Sequence, residues 1–284
     1  MPRYPSRHKN RPSDAYLSSL PSAASDPFDK RLEYVQQRAS QLPQTDLTTT
    51  KAPEITPLDA LLSTQMPDPE WVIPELLPVG ITLLTGRPGV GKSWLAFKLA
   101  LAIASNMSVL EHIPVSQGCV LYLGLEDTRY RALDRATQLL QGQAAPNALK
   151  MANSWHPLAA GGLADIEDWL DAHETAKLVV IDSLISVYAK RRSYHRFADR
   201  EKENTIMIPL KVIADMHNVA ILVIQHLRRT NNADFLDDAD FAGSGSGYLD
   251  VTSCTLLLKQ EQDTQVKTLH ITGNHIAEKV VPVI

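Results

Sequence analysis

The sequence predicts an α/β fold with a largely parallel central sheet, flanking helices and a C-terminal hairpin. Short apolar runs alternate with helix-length segments from Gly80 onward, and several of these runs are continuous. Continuous apolar runs are typical of parallel strands covered on both faces, and their alternation with helices is typical of right-handed crossover units. All 13 glycines lie at Gly80 or later, which indicates that the compact fold occupies this part of the chain.

The chain before this fold has a different composition. Twelve of the 18 prolines lie at Pro78 or earlier, and residues 1–66 mix eight Lys or Arg with seven Asp or Glu. We therefore expect residues 1–66 to be a mostly disordered Pro/Ser-rich arm and residues 67–284 to be the folded domain. The arm is either a solvated tail or a docking segment for a neighbouring subunit or a replication partner. Within it, Ile55–Met66 has helical spacing.

Composition excludes several classes of protein. The chain has no apolar run of about 20 residues and no apolar stretch behind its basic start, so neither a membrane span nor a secretory signal is predicted. Its two cysteines, Cys119 and Cys254, lie in strand-like runs, which argues against a disulfide framework and favours a cytoplasmic location. The net charge of −4 means that nucleic acid would have to bind a local basic patch.

The elements of the domain can be placed in order from periodicity and turn signals. The last two strands are expected to form the hairpin, with Gln260–Gln265 as its turn. Predicted strands cover residues 81–85, 119–125, 178–182, 219–225, 252–259 and 266–272, and predicted helices cover residues 93–105, 128–140 and about 203–217.

A phosphate-binding loop lies between the first strand and the first helix. The pattern G-x-x-x-x-G-K-[ST], known as Walker A, is matched in full. Its glycines let backbone N–H groups surround a phosphate, Lys92 supplies a cation for the β- and γ-phosphates, and the Ser93 hydroxyl can ligate Mg²⁺. ATP and Mg²⁺ are therefore the expected ligands. The predicted nucleotide-binding residues are Gly86, Arg87, Pro88, Gly89, Val90, Gly91, Lys92, Ser93 and Trp94.

Two further strands end in carboxylates. Asp182 ends the run KLVVID, where a buried charge needs a partner such as Mg²⁺; the alternative is a cap on the following turn. The run GCVLYLGLED ends in Glu126 and Asp127. We assign Glu126 as the base that polarises the attacking water and Asp127 as the cap of the next helix.

The strand VAILVIQH ends in Gln225 and His226. Polar side chains at the carboxyl end of a parallel strand lie where ligands bind in open α/β sheets. The pair is therefore interpreted as a sensor of the γ-phosphate, with a structural histidine at the rim of the sheet as the alternative.

Two segments are candidate contacts for DNA. The segment Tyr188–Asn204 mixes cations with aromatic residues, a composition that suits single-stranded nucleic acid, because cations follow phosphates and rings stack on bases. Acidic residues follow these cations, so a solvated, salt-bridged loop is the alternative. The second segment, Arg228–Gly247, follows the sensor strand and has three glycines near its end, which predict a mobile loop; its expected role is either a substrate contact or a subunit contact. The candidate DNA-binding residues are Lys190, Arg191, Arg192, Arg196, Arg228 and Arg229.

Together, the motifs LLTGRPGVGKSWLA, VLYLGLEDT, LVVIDS, VAILVIQHLRR and FAGSGSGYLD resemble those of RecA-like P-loop ATPases. Over about residues 68–280 the chain is most similar to the plasmid RepA-type hexameric replicative helicases and related phage and prophage AAA-family ATPases. The resemblance implies catalytic roles for Lys92, Glu126, Asp182 and His226. It also implies a ring of about six subunits, with ATP at each interface and single-stranded DNA in the central channel.

The sequence departs from this family at Thr272-Gly273-Asn274. Relatives commonly have Thr-Gly-Arg there, with the Arg reaching a neighbour's nucleotide, and Asn274 carries no charge. Lys267, Arg228 and Arg229 are candidates to replace it. The expected function is that of a Mg²⁺-dependent ATPase motor acting on DNA, specifically a RepA-like replicative helicase. The alternatives are a filament-forming recombination or annealing ATPase and an ATP-binding assembly module with negligible turnover.

Overall fold

The chain divides into two units, Met1–Met66 and Pro67–Ile284. In the first unit, helix α1 spans Leu58–Ser63, within the segment Ile55–Met66 for which a helix is predicted. The predicted disorder of the arm falls on residues outside the described ranges. The computed structural model describes residues 56–63, 70–110, 112–187, 199–226, 251–260, 266–274 and 276–283.

The described part of the second unit contains ten strands and four α-helices. The strands are β1 (Trp71–Ile73), β2 (Leu77–Pro78), β3 (Gly80–Gly86), β4 (Cys119–Gly124), β5 (Leu149–Ala152), β6 (Ala176–Asp182), β7 (Ala220–Ile224), β8 (Cys254–Gln260), β9 (Lys267–Gly273) and β10 (Ile276–Val283). The helices are α2 (Lys92–Ser105), α3 (Arg129–Leu140), α4 (Gly162–Asp171) and α5 (Asp199–His217). None of the described helices is both long enough and apolar enough to cross a membrane.

Eight of these strands form one sheet in the order β10-β9-β8-β3-β7-β6-β4-β5. The six strands from β8 to β5 are parallel to their neighbours, whereas β8, β9 and β10 pair antiparallel. This is a RecA-like α/β P-loop fold, so the predicted fold class is confirmed. The predicted hairpin is the antiparallel pair of β8 and β9.

The apolar core lies on both faces of the sheet. Side chains alternate along β3, so that Leu84 packs in the cluster containing α2, whereas Ile81 and Leu83 pack in the cluster containing α4 and α5. Every residue of β3 is buried, because a parallel strand in the middle of a three-layer fold has no solvent-facing side. This rigid strand holds the start of the phosphate-binding loop.

Sequence periodicity missed five elements, which are the short strands β1 and β2, strands β5 and β10, and helix α4. Strand β5 has four residues, none of them buried, and β10 alternates exposed with half-buried residues, so neither has a continuous apolar run. Helix α4 buries Ile166 and Leu170 but is short. Pro209 lies inside α5 and not at its start.

The sheet brings the predicted site residues to one edge. Strands β3, β7, β6 and β4 are adjacent and all run in the same direction. Their carboxyl ends therefore lie at the same edge of the sheet. The phosphate-binding loop follows β3, Glu126 follows β4, Asp182 ends β6, and Gln225 and His226 follow β7. Ligands bind at this edge in open α/β sheets.

Candidate nucleotide-hydrolysis site

The residues predicted to bind the nucleotide form the tight turn between β3 and α2. Gly86 has a φ angle of 150°, and a Cβ atom there would lie 2.4 Å from the carbonyl oxygen of Leu258. Gly89 and Gly91 have φ angles of 82° and 111°, in the left-handed region where a side chain is unfavourable. The loop conformation therefore requires glycine at these positions, and α2 begins directly after Gly91.

The side chain of Lys92 folds back onto the start of the loop. Its Nζ atom donates hydrogen bonds to the carbonyl oxygens of Gly86 (2.8 Å) and Arg87 (3.0 Å), and its side chain is buried. Burial lowers the pKa of the Lys92 ammonium from an ordinary 10.5 to about 8, against the opposing attraction of Asp182 and Glu126. The ammonium is thus a poorly solvated cation, which a phosphate group would stabilise.

This shifted pKa predicts a pH dependence of nucleotide binding. A phosphate beside Lys92 favours its charged form, so binding above the free-protein pKa of about 8 must take up a proton. We expect ATP affinity to fall as the pH rises through that value, and calorimetric titrations in two buffers of different ionisation enthalpy to show proton uptake. An affinity that stays constant and a heat that is independent of buffer would contradict this expectation.

The same shift has a defined effect on stability. The pKa of Lys92 is lower in the folded protein than in the unfolded chain, so the unfolded chain holds this proton more tightly between pH 8 and 10.5. The contribution of Lys92 to the free energy of unfolding therefore rises with pH through that window.

Asp182 lies next to the last residue of the loop motif. It is buried and accepts a hydrogen bond from the Tyr122 hydroxyl (2.8 Å) and one from the Ser93 hydroxyl. Burial raises the pKa of Asp182, although both hydrogen bonds oppose the shift. The Tyr122 hydroxyl also lies 3.4 Å from the carbonyl oxygen of Ser93, so one tyrosine connects the end of β6 with the start of α2.

Tyr122 was not identified from the sequence. It is fully buried within β4, and its ring packs edge-on against Phe97 of α2, with centroids 5.4 Å apart. Burial raises the pKa of the Tyr122 phenol, and the neighbouring Asp182 raises it further, so the hydroxyl stays protonated and donates. The available signal was a single hydroxyl in the otherwise apolar run VLYLGL, since a buried hydroxyl needs a partner.

The Ser93 and Asp182 oxygens fit a Mg²⁺ ion that binds together with a nucleotide. Mg²⁺ prefers oxygen ligands and usually combines one or two protein oxygens with water and phosphate oxygens. The two side chains are hydrogen-bonded to each other. Both oxygen ligands therefore lie close together beside the loop. Among the described residues, no group of three or more His, Cys, Asp or Glu could hold a metal.

Glu126 and His226 lie in contact across the edge of the sheet. His226 Nε2 is 3.3 Å from a carboxylate oxygen of Glu126, and both side chains remain about two-fifths exposed, at 41% and 38%. The other carboxylate oxygen accepts hydrogen bonds from the hydroxyls of Ser183 and Ser186. A carboxylate held in this way can still reach a water molecule, as the predicted base must.

The electrostatics of Glu126 keep it ionised. Partial burial raises its pKa, but the hydrogen bonds from Ser183 and His226 outweigh burial, and the pKa lies below its ordinary value of 4.5. Gln225, the other predicted sensor residue, is anchored through its backbone, where its N–H donates to the Leu84 carbonyl (3.0 Å). Both predicted sensor residues therefore stand at this edge of the sheet.

The assignment of Asp127 as a helix cap is wrong. The N-cap of α3 is Thr128, whose side chain accepts a hydrogen bond from the backbone N–H of Arg131. Asp127 instead forms an ion pair with buried Arg135 at 2.7 Å. A buried guanidinium requires a counter-ion, and this need outweighs the weak preference of Asp for a cap position.

Trp94 lies at the outer end of the loop and is half-exposed. The Arg135 guanidinium carbon lies 5.5 Å from the centroid of the Trp94 ring, within the range of a cation–π contact. Arg135 thus contacts both Trp94, which follows the loop motif, and Asp127, which follows Glu126.

Asn274 lies at the other end of the sheet. Its N–H donates to the Ser253 carbonyl at 3.3 Å, next to the pairing of Cys254 with Thr82 near the start of β3, whereas the phosphate-binding loop follows the end of β3. Asn274 is therefore remote from the loop of its own chain. The candidate DNA-binding residues Lys190, Arg191, Arg192, Arg196, Arg228 and Arg229 lie outside the described residues.

The fold and the site together define the class of protein. A glycine loop with a buried lysine, an acidic strand end beside its serine and a second ionised carboxylate form the site of a P-loop ATPase. A protein-family model described as an AAA domain matches residues 47–232, which is more than half of the chain. The chain therefore belongs to the AAA domain family, whose activity is the binding and hydrolysis of ATP.

Proposed function

We propose that this ATPase is a Mg²⁺-dependent motor acting on single-stranded DNA, of the RepA-like replicative helicase type. The observation that carries the proposal is the contact network around Glu126. This carboxylate bonds to Ser183 and Ser186, which follow β6, and to His226, which follows β7. Both basic segments of the chain begin within a few residues of these partners.

The chemistry assigned to the site follows from its geometry. The Glu126 carboxylate takes a proton from the attacking water, whose oxygen forms a bond to the γ-phosphorus while the bond to the β,γ-bridging oxygen breaks. Lys92 compensates the negative charge on the β- and γ-phosphates. Ser93 and Asp182 would hold Mg²⁺, which supplies further charge compensation when bound. His226 contacts Glu126. It would therefore respond directly when the γ-phosphate beside Glu126 is lost.

The coupling to DNA rests on chain continuity. Lys190 follows Ser186 by four residues, and Arg228 follows His226 by two. A change in the hydrogen bonds of Glu126 on hydrolysis would therefore reach both basic segments through short stretches of chain. Cations interleaved with aromatic side chains suit the backbone and bases of a single strand. A translocating motor requires such coupling, in which the state of the nucleotide site changes the conformation of the DNA-binding segments.

Assembly completes the proposal. We propose a homo-oligomeric ring of about six subunits, as the family resemblance implies, with a cation of a neighbouring subunit at each nucleotide. A trans-acting cation increases turnover by about a thousandfold or more, so turnover by isolated subunits should be slow. Residues 1–66 are proposed to contact a replication or recombination partner.

Sizing the protein with a non-hydrolysable ATP analogue and single-stranded DNA tests this function. We expect the analogue and DNA together to produce a closed oligomer, and ATP hydrolysis to displace a strand from a forked duplex. A Lys190→Ala, Arg191→Ala, Arg192→Ala variant should lose DNA binding but keep nucleotide binding. The matched control removes three cations from the arm: Arg3→Ala, Arg7→Ala and Lys9→Ala.

The outcomes separate the alternatives. Extended filaments on DNA without strand displacement would favour a recombination or annealing ATPase. Nucleotide-dependent oligomers that neither bind DNA nor turn over ATP would favour an assembly module. Equal loss of DNA binding in both triple variants would contradict a specific role of residues 190–192.

A further inference from the structure

Lys267 is a cation at the nucleotide site that no motif identifies. It is the first residue of β9 and pairs with Gln260 of β8, at the sheet edge where Gly86 of β3 pairs with Leu258. A Cβ atom built on Gly91 would lie 3.2 Å from the Lys267 Nζ atom, and no other heavy atom of the described residues lies within 4 Å of it apart from the glycine and its chain neighbours. The side chain of Lys267 therefore extends to the phosphate-binding loop of its own chain.

Lys267 differs in its surroundings from Lys211 of α5 and Lys279 of β10. Lys211 pairs with Asp215 and Lys279 with Glu75, which are ordinary surface ion pairs. Within the described part of the chain, no carboxylate forms a salt bridge with Lys267. Lys267 is a half-buried residue, and a phosphate held by the neighbouring loop backbone would provide its ammonium with a counter-ion.

The position of Lys267 relative to the loop indicates which phosphates it would meet. In a phosphate-binding loop the backbone N–H groups surround the α- and β-phosphates, whereas the motif lysine reaches the β- and γ-phosphates. Lys267 approaches the backbone at Gly91, and Lys92 points toward the carbonyls of Gly86 and Arg87. The two cations therefore approach the loop differently and need not compete for the same oxygens.

We propose that Lys267 is a positioning residue that contacts the α- and β-phosphates of the nucleotide bound in its own subunit. The inference rests on the proposed nucleotide site but not on DNA or on ring assembly. The diphosphate is common to ADP and ATP, and its α-phosphate changes little in charge during cleavage of the γ-phosphate, whereas the β-phosphate gains negative charge as the leaving group. Loss of a contact that ADP and ATP share raises KM and the dissociation constants of both nucleotides, and it lowers kcat by less than the loss of a trans-acting finger would.

This role is distinct from that of a trans-acting finger. Among the candidates to replace the arginine absent at Asn274, Lys267 faces the loop of its own chain. A finger acts on the transferring phosphate and changes kcat by orders of magnitude. The two roles therefore predict opposite patterns of kinetic change for the same substitution.

The test compares Lys267→Ala, Lys267→Arg and the matched control Lys150→Ala, which removes a lysine from β5 at the opposite end of the sheet. Dissociation constants for ADP and for a non-hydrolysable ATP analogue are measured by calorimetry, and KM and kcat by ATP turnover. For Lys267→Ala we expect both dissociation constants to rise by a similar factor, about three- to tenfold for one partly exposed charged contact. Lys267→Arg should recover most of the affinity, and Lys150→Ala should match wild type.

The remaining results either overturn the inference or separate it from the proposed function. Unchanged affinity for ADP in Lys267→Ala would exclude a contact with the shared diphosphate. A large fall in kcat with ADP affinity intact would assign Lys267 to the transferring phosphate instead. Wild-type protein that binds neither nucleotide would overturn both this inference and the proposed function, whereas nucleotide binding without any DNA response would leave only the motor proposal contradicted.

Discussion

Substitution of Lys92 by Ala is expected to abolish measurable ATP turnover, with a fall of at least about 100-fold, the usual cost of removing one preorganised charge donor. Lys92 is the buried cation of the loop, and its ammonium is held by the Gly86 and Arg87 carbonyls at the position where a phosphate would replace them. Loss of that charge leaves the β- and γ-phosphates without their partner. Steady-state phosphate release measures the effect.

The protein should remain folded without Lys92. Burial disfavours the charged form of this side chain, as its lowered pKa shows, so its removal takes no stabilising charge from the core. Lys98→Ala is the matched control, because Lys98 lies on the same helix and is exposed. Retained turnover in Lys92→Ala, or an equal loss in Lys98→Ala, would contradict the assignment.

Substitution of Glu126 by Gln should separate binding from hydrolysis. The amide keeps the shape of the side chain but cannot accept the proton of the attacking water, and general bases contribute about 100- to 10,000-fold. We expect turnover to fall by that order while the dissociation constant for ATP changes little, because the described contacts of Glu126 are to Ser183, Ser186 and His226 and none is to the loop.

The matched control is Glu174→Gln, an exposed residue before β6, which should behave as wild type. Single-turnover measurements with pre-bound ATP distinguish slow chemistry from slow release. Rapid hydrolysis in Glu126→Gln would remove Glu126 from the role of base and would direct attention to another carboxylate at this edge of the sheet.

The sequence predicted the parts of the site that depend on local pattern. The loop from Gly86 to Ser93 follows from glycine geometry between a strand and a helix, and Asp182, Glu126 and His226 follow from polar residues at the ends of apolar runs. The sheet brings all of these to one edge. Their local contexts therefore contained enough information to place them, even before the strand order was known.

What the sequence did not predict depends on contacts between distant segments. Tyr122 reaches Asp182 across 60 positions of the chain, and Lys267 reaches Gly91 from the far hairpin. Arg135 takes Asp127 as its counter-ion, which overrides the local capping preference. No local pattern marks such pairs, since they arise from strand order and packing, and β5 and β10 were missed because their burial is too incomplete to give an apolar run.

ATP turnover with and without single-stranded DNA tests the central claim most directly, measured on wild type and Lys92→Ala in parallel. We expect wild-type protein to hydrolyse ATP slowly alone and faster with single-stranded DNA, and Lys92→Ala to be inactive in both conditions. An absence of hydrolysis in wild type with and without DNA, indistinguishable from Lys92→Ala, would contradict the account.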